Sequence, residues 1–293
     1  MPLINTESML KRAREGGWAV GAFNAENMEM IQAVIEAAEE LKAPVIIQTT
    51  PGTLKYGSLD LYFAIALTRA KKSPVEVSIH LDHGDTFSLA AQALRTGYTS
   101  IMIDGSKLPL GENIALTEPV VKICEPNGVS VEGELGKVGG KEDDQEGGAG
   151  YTDTEEAAEF VQKTGVNSLA VGVGTAHGVY KETPVLKAEL ISVLRETVTV
   201  PMVLHGASGL ADEVVMDCIS RGIAKVNFAT ELRIAYTGAV QKYLSGDPGV
   251  PDPKKYGAAG RDAVRAKVIE KMRICGCAGK SILTPECAGG YPA

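Results

Sequence analysis

A short apolar run, followed by a longer stretch in which apolar residues recur every three or four positions, is the unit that repeats along this chain. The short runs fall at 18–23, 44–49, 75–81, 100–103, 130–135, 168–173, 201–204 and 224–226, eight in all. Between them the period changes. Met28, Ile31, Ile35, Ala38 and Leu41, for example, share one face of a helix. Comparable helical patterns run roughly over 58–71, 86–96, 111–126, 154–164, 187–196, 211–221 and 229–244, and an amphipathic segment at about 6–14 precedes the first run.

Strand then helix, eight times, predicts a parallel (β/α)8 barrel with its helices outside. The expected fold class is α/β: one barrel domain over 1–280 with an extra N-terminal helix and a C-terminal helical extension, then a flexible tail over 281–293. Helix ends agree with it. Thr154-Glu155-Glu156 puts acidic residues in a first turn, and Gly128, Gly165 and Gly222 fall just after helical runs. A doubly wound open sheet is the alternative; it usually needs fewer strands, and no GxGxxG follows the first run.

In a barrel the chemistry sits where strands end and lead into helices. Those positions hold Asn24, Thr50, Asp82-His83, Asp104, Glu134, His177, His205 and Asn227. Three of the chain's four histidines, His83, His177 and His205, lie just past a strand run. Three neutral imidazoles with one position left open is how proteins hold a catalytic zinc; the plainer reading of each is a histidine satisfied by hydrogen bonds. Two stretches suit phosphate. Gly206-Ala207-Ser208-Gly209 and Asn227-Phe228-Ala229-Thr230 follow the seventh and eighth runs, where barrels aim backbone N–H groups and a helix dipole at anions. The glycine-rich, charged stretch 136–151 cannot pack a core and reads as a mobile loop, either plain surface or a lid bringing Glu142 over a substrate.

Composition narrows the partners. At 293 residues the chain suits two average domains or one barrel, and its 44% hydrophobic content and mean hydropathy of +0.02 are ordinary for a globular protein. A net charge of −8 argues against nucleic acid or an anionic membrane as partner. No run approaches 18 apolar residues and the first residues do not resemble a signal peptide, so a cytoplasmic location is expected. Five scattered cysteines, Cys124, Cys218, Cys275, Cys277 and Cys287, suit reduced thiols, and the Cys275-Gly276-Cys277 pair reads as structural.

Five segments together resemble one family. They are Ile79-His80-Leu81-Asp82-His83-Gly84; Glu132-Gly133-Glu134-Leu135-Gly136 with Gly139-Gly140-Lys141-Glu142-Asp143; Gly174-Thr175-Ala176-His177-Gly178; His205-Gly206-Ala207-Ser208-Gly209; and Lys225-Val226-Asn227-Phe228-Ala229-Thr230. In this order they are similar to the class II, zinc-dependent ketose-bisphosphate aldolases, over nearly the whole chain. The resemblance implies one Zn2+ per subunit on His83, His177 and His205, with Asp104 and Glu134 forming an alternative ion position. It implies that Asp82 moves the C4 hydroxyl proton and Glu142 the proton on the enediolate carbon. Asn227 would touch the triose-phosphate carbanion, with Gly178, Gly206, Ser208 and Thr230 around its phosphate. Backbone carbonyls near Ala176, Gly178, Gly206 and Ser208 would hold a monovalent cation, Na+ or K+. Asn24, Thr50 and Lys181 complete the expected substrate contacts, and Arg261 or Arg265, from a neighbouring subunit, would bind the distal phosphate.

The implied reaction is reversible cleavage of a ketose 1,6-bisphosphate to dihydroxyacetone phosphate and glyceraldehyde 3-phosphate. Ala229 stands where one fructose-bisphosphate branch carries an acidic residue, which favours tagatose 1,6-bisphosphate, with fructose 1,6-bisphosphate next and other phospho-ketoses open. A homodimer or homotetramer, with an accessory subunit as a further option, is the family's expectation. Lys225 shares a strand face with Asn227 and offers a rival, a Schiff base with the ketose, which would leave the three histidines idle; a lysine holding a carboxylate is the plainer reading. A metal-dependent hydrolase and a non-catalytic sugar-phosphate-binding barrel are the readings outside aldolase chemistry.

Overall fold

The computed structural model describes residues 3–136, 138–142, 145–147, 150–178, 180 and 184–282, with the side chains of 140–142 and 145–147 outside that description. Eight parallel strands close into a barrel: β1 (Val20–Asn24), β2 (Val45–Thr49), β3 (Val77–Gly84), β4 (Ser100–Ile103), β5 (Ser130–Leu135), β8 (Ser168–Val171), β10 (Met202–Leu204) and β11 (Ile223–Phe228). β11 returns to pair with β1, Val20 opposite Lys225 and Ala22 opposite Asn227. All eight expected strands are present in the expected places.

The helices are α1 (Glu7–Gly16), α2 (Met28–Leu41), α3 (Pro51–Gly57), α4 (Leu59–Ala70), α5 (Phe87–Thr96), α6 (Leu110–Cys124), α7 (Thr154–Thr164), α8 (Ala188–Thr197), α9 (Asp212–Arg221), α10 (Thr230–Gly246) and α11 (Pro253–Ile274). Local chemistry explains their ends. Asn27, Thr86 and Asp153 accept first-turn N–H groups of α2, α5 and α7, and Gly165 closes α7 in the left-handed conformation. The long α11 packs on α2 and α10 as the C-terminal extension. One helix escaped the sequence pattern: α3 starts at Pro51 behind its Thr50 cap, just ahead of α4.

The stretch read as a structureless loop also contains strands. β6 (Gly139–Glu142) pairs antiparallel with β7 (Gln145–Gly147) and parallel with β9 (Ala176–His177). Alternating polar and apolar residues over so few positions gave no clear period. Of the expected tail, Ser281 and Ile282 are bound to Glu76, while 283–293, including Cys287, lie outside the described residues.

Two kinds of interior result from strand alternation. Val77, Ile79 and Leu81 of β3 join the large apolar core beneath the helices, so Ser78, His80 and Asp82 face the barrel axis. Likewise Ile101 and Ile103 point outward, while Met102 forms a separate small cluster with Ala170 and Val203. Much of the remaining axial space is polar. The N-terminal mouth is closed by Thr6, whose hydroxyl lies 2.7 Å from Ser130 Oγ and 3.2 Å from Ser100 Oγ.

Candidate active site

A regular strand would send the neighbours Asp82 and His83 to opposite faces. Here the β3–β4 register shifts between Leu81 and Gly84, and His83 takes a left-handed φ of 51°. That bulge turns His83 so that both side chains reach the C-terminal mouth, the common use of bulges beside active sites. His177 arrives on β9 and His205 immediately after β10. The three rings gather with centroids 4.7, 5.1 and 5.9 Å apart. Their ligating nitrogens lie within 4.8 Å of one another.

Carboxylates surround this cluster. His83 Nδ1 lies 2.8 Å from Asp104 Oδ2, and its Nε2 lies 3.0 Å from His205 Nδ1. Glu134 Oε2 is buried without a hydrogen-bond partner and sits 3.9 Å from both His83 Nδ1 and His205 Nδ1. Burial and the negative Asp104 push the Glu134 carboxyl well above the usual carboxylate range. Burial works the same way on Asp104, but hydrogen bonds from His83 and Ser106 outweigh it and hold that carboxyl below its ordinary value. An orphaned carboxylate oxygen facing imidazole nitrogens is a cation's place. Nitrogen donors with oxygen at the edge suit zinc.

Asp82 is 1% exposed and clamped by two amides: Asn24 Nδ2 donates to Oδ2 at 2.8 Å, and Asn227 Nδ2 to Oδ1 at 3.3 Å. Gln48 Nε2 donates to Asn24 Oδ1 at 2.9 Å, fixing which end of the Asn24 amide meets Asp82. Asn227 Nδ2 also lies 3.2 Å from His205 Nε2, and its Oδ1 is buried without a partner.

A pocket opens beside His177, lined by Asn24, Gly178, Gly206, Ser208, Asn227, Ala229, Thr230 and Arg233. Gly206, at a φ of 67°, lets its backbone approach that of Ala176; a Cβ there would lie 2.7 Å from the Ala176 carbonyl oxygen. Tyr180 stitches the two together, accepting from Ala176 N–H at 2.8 Å and donating to Gly206 O at 2.7 Å. Ser208 Oγ accepts the Ala229 N–H. Both expected phosphate stretches thus border one cavity, at the start of α10.

Arg233 was missed by the sequence reading. It lies three residues after Thr230, hence on the same face of α10, and its Nε donates to Glu26 Oε1 at 2.7 Å. Glu26 Oε2 also accepts from Thr53 Oγ1. Thr50 caps α3 and does not line the pocket. Arg261 and Arg265 lie on α11, paired with Gln32 and Glu40 of α2 and away from the pocket of their own chain. Lys181 and the Glu142 side chain lie outside the described residues.

Comparison with known proteins decides the family. Residues 4–280 match the family model described as "Fructose-bisphosphate aldolase class-II". The chain is a class II aldolase. Among solved structures, the YdjI aldolase of Escherichia coli K12 is 37% identical, covering 95% of this aldolase and 99% of YdjI, with a TM-score of 0.86. A putative fructose-1,6-bisphosphate aldolase from Coccidioides immitis is 31% identical over 93% of this aldolase and 96% of its own chain, with a TM-score of 0.85. The fructose-bisphosphate aldolase of Campylobacter jejuni, at 23% identity, 95% and 97% coverage and a TM-score of 0.79, shares the fold.

Family membership removes the hydrolase and the idle binding barrel. Lys225, fully buried with its ammonium 2.7 Å from Glu132 Oε2, does not line the pocket of the aldolase. Among the described residues, no helix of this aldolase is long and apolar enough to cross a membrane.

Proposed function

We propose that this aldolase reversibly cleaves a ketose 1,6-bisphosphate, tagatose 1,6-bisphosphate in preference to fructose 1,6-bisphosphate, to dihydroxyacetone phosphate and glyceraldehyde 3-phosphate. The observation that carries the reading is the convergence of His83, His177 and His205 beside the buried Asp82. These histidines would hold one zinc ion, with Asp104 and Glu134 as a second resting place. When bound, the ion supplies a Lewis acid for the ketone oxygen, worth several kcal/mol where charge develops.

The remaining work belongs to the chain. Asp82, aimed by Asn24 and Asn227, accepts the C4 hydroxyl proton as the C3–C4 bond breaks and its electron pair passes toward C2. In the cleavage direction Glu142 delivers a proton to C3. Gly178, Gly206, Ser208 and Thr230 receive the triose phosphate, whose charge is favoured by the N-terminus of α10. A monovalent cation at the carbonyls of Ala176, Gly178, Gly206 and Ser208 would offset that charge. Lys181 and Thr50 act on the substrate side, and Arg261 or Arg265 of a neighbouring subunit meets the distal phosphate. Arg233 is a nearer candidate for that task. A homodimer or homotetramer in the cytoplasm fits this use of arginines, with an accessory subunit as an optional partner.

Ala229 supports the choice of sugar, since it leaves the pocket wall beside Thr230 uncharged. The test is triose-phosphate release from tagatose and fructose 1,6-bisphosphate before and after EDTA, and again after zinc. Activity lost to chelator and restored by zinc, faster with tagatose bisphosphate, is expected. Release that survives EDTA and is trapped by borohydride would overturn the zinc reading.

A further inference from the structure

Beneath the histidines the barrel axis holds charge, where barrels of this kind mostly pack branched aliphatic side chains. Lys225 on β11, Glu132 on β5 and His80 on β3 are each 1% exposed or less. A buried ion pair costs several kcal/mol in desolvation and is weak evidence for stability, so its presence here asks for another reason.

The hydrogen bonds of this group run in one direction. Glu132 Oε2 accepts from Lys225 Nζ at 2.7 Å and from Ser168 Oγ at 3.4 Å, which leaves Oε1 to face His205 Nε2 at 3.1 Å. An ammonium only donates, so His80 Nε2, 3.3 Å from Lys225 Nζ, accepts. The His80 proton is thereby assigned to Nδ1, which donates to Ser100 Oγ at 2.8 Å. Ser100 Oγ meets the Thr6 hydroxyl on the barrel floor. One end of the series is anchored at the closed mouth of the barrel, and the other ends on a histidine of the metal cluster.

We infer that Lys225, acting through Glu132, is a positioning residue for His205. It holds the carboxylate that receives the Nε2–H, and so keeps Nδ1, the nitrogen nearest His83 and Glu134, turned toward the space the histidines share. Partners of this kind fix the tautomer and ring orientation of metal-binding histidines. Without Lys225 the carboxylate loses its anchor and the ring loses its hold. The inference rests on the zinc reading proposed above.

Zinc affinity, measured by competition with a chromogenic chelator, tests it, together with the visible spectrum of the cobalt-substituted protein. Lys225→Met is expected to fold and to bind zinc ~10–100-fold more weakly, the usual effect of losing such a partner, with an altered cobalt spectrum. The double variant Glu132→Gln/Lys225→Met keeps the volume and leaves no unpaired charge, so it reports even if the single variant does not fold; a weaker zinc site with a changed spectrum is expected there too. Wild-type zinc affinity and an unchanged spectrum in the folded double variant would overturn the inference. A wild-type protein that takes up no zinc would instead overturn the zinc reading itself.

Discussion

His83 sits in a backbone conformation that few residues other than glycine, asparagine and aspartate adopt readily. Its left-handed φ and the slipped register behind it let consecutive residues serve one site. An Asn at 83 tolerates that conformation but offers no imidazole, so His83→Asn should fold normally while losing stoichiometric zinc, measured by metal analysis after dialysis. Glu134 provides a second test at this scale. Its carboxyl is raised by burial and Asp104, so the metal-free fold favours the protonated form. The penalty is absent below the unfolded pKa and grows as pH rises from about 4.5 through the folded value. Without zinc, Glu134→Gln should raise Tm at pH 8 by ~2–4 °C per kcal/mol recovered, with little gain near pH 4, and saturating zinc should erase the advantage. The sequence made these residues visible as polar groups at strand ends. It did not reveal that Asp82 and His83 reach one mouth, because a bulge depends on the partner strand, and it gave no sign that Glu134 Oε2 would stand unpaired.

Among the elements, strands and long helices were legible because each buries one face and the period of apolar residues records it. The short α3 was not: seven residues carry too few turns for a period, although Thr50-Pro51 is itself a start signal, a hydroxyl cap followed by proline. Thr50→Ala should cost ~1 kcal/mol by removing the cap, read as a fall in Tm that Thr50→Ser largely restores. Arg233 was overlooked for a different reason, being a charged helical residue whose neighbour Glu26 is distant in sequence. Cys124 and Cys218 are pushed up to about 11 by burial, and Cys277 to about 12. Together with buried Cys275 they should resist Ellman's reagent at pH 8 in a Cys287→Ser variant until the protein is denatured; rapid labelling of the native variant would contradict this packing.

At the scale of the whole molecule, the barrel is clasped at its closed end by both termini. Ile4 N–H donates to the Val77 carbonyl, while the Glu76 carboxylate accepts from Arg12 and from the Ile282 N–H, and the Glu76 N–H is received by Ser281 Oγ. Truncation after Lys280 should therefore lower Tm more than truncation after Ile282, by roughly the ~1–2 kcal/mol of two hydrogen bonds, one of them to a charged group. At the open end, Gly140 pairs with His177 and the Gly139 N–H donates to the Thr175 carbonyl. The backbone that carries Glu142 is thus laced to the backbone that carries a metal donor. Whatever factor an ion contributes to ordering that small sheet, the ordered sheet returns to the affinity for the ion. Occupancy of the two halves of the site is then a single negotiated quantity, and amide exchange at 139–142 and at 175–177 should slow or quicken together.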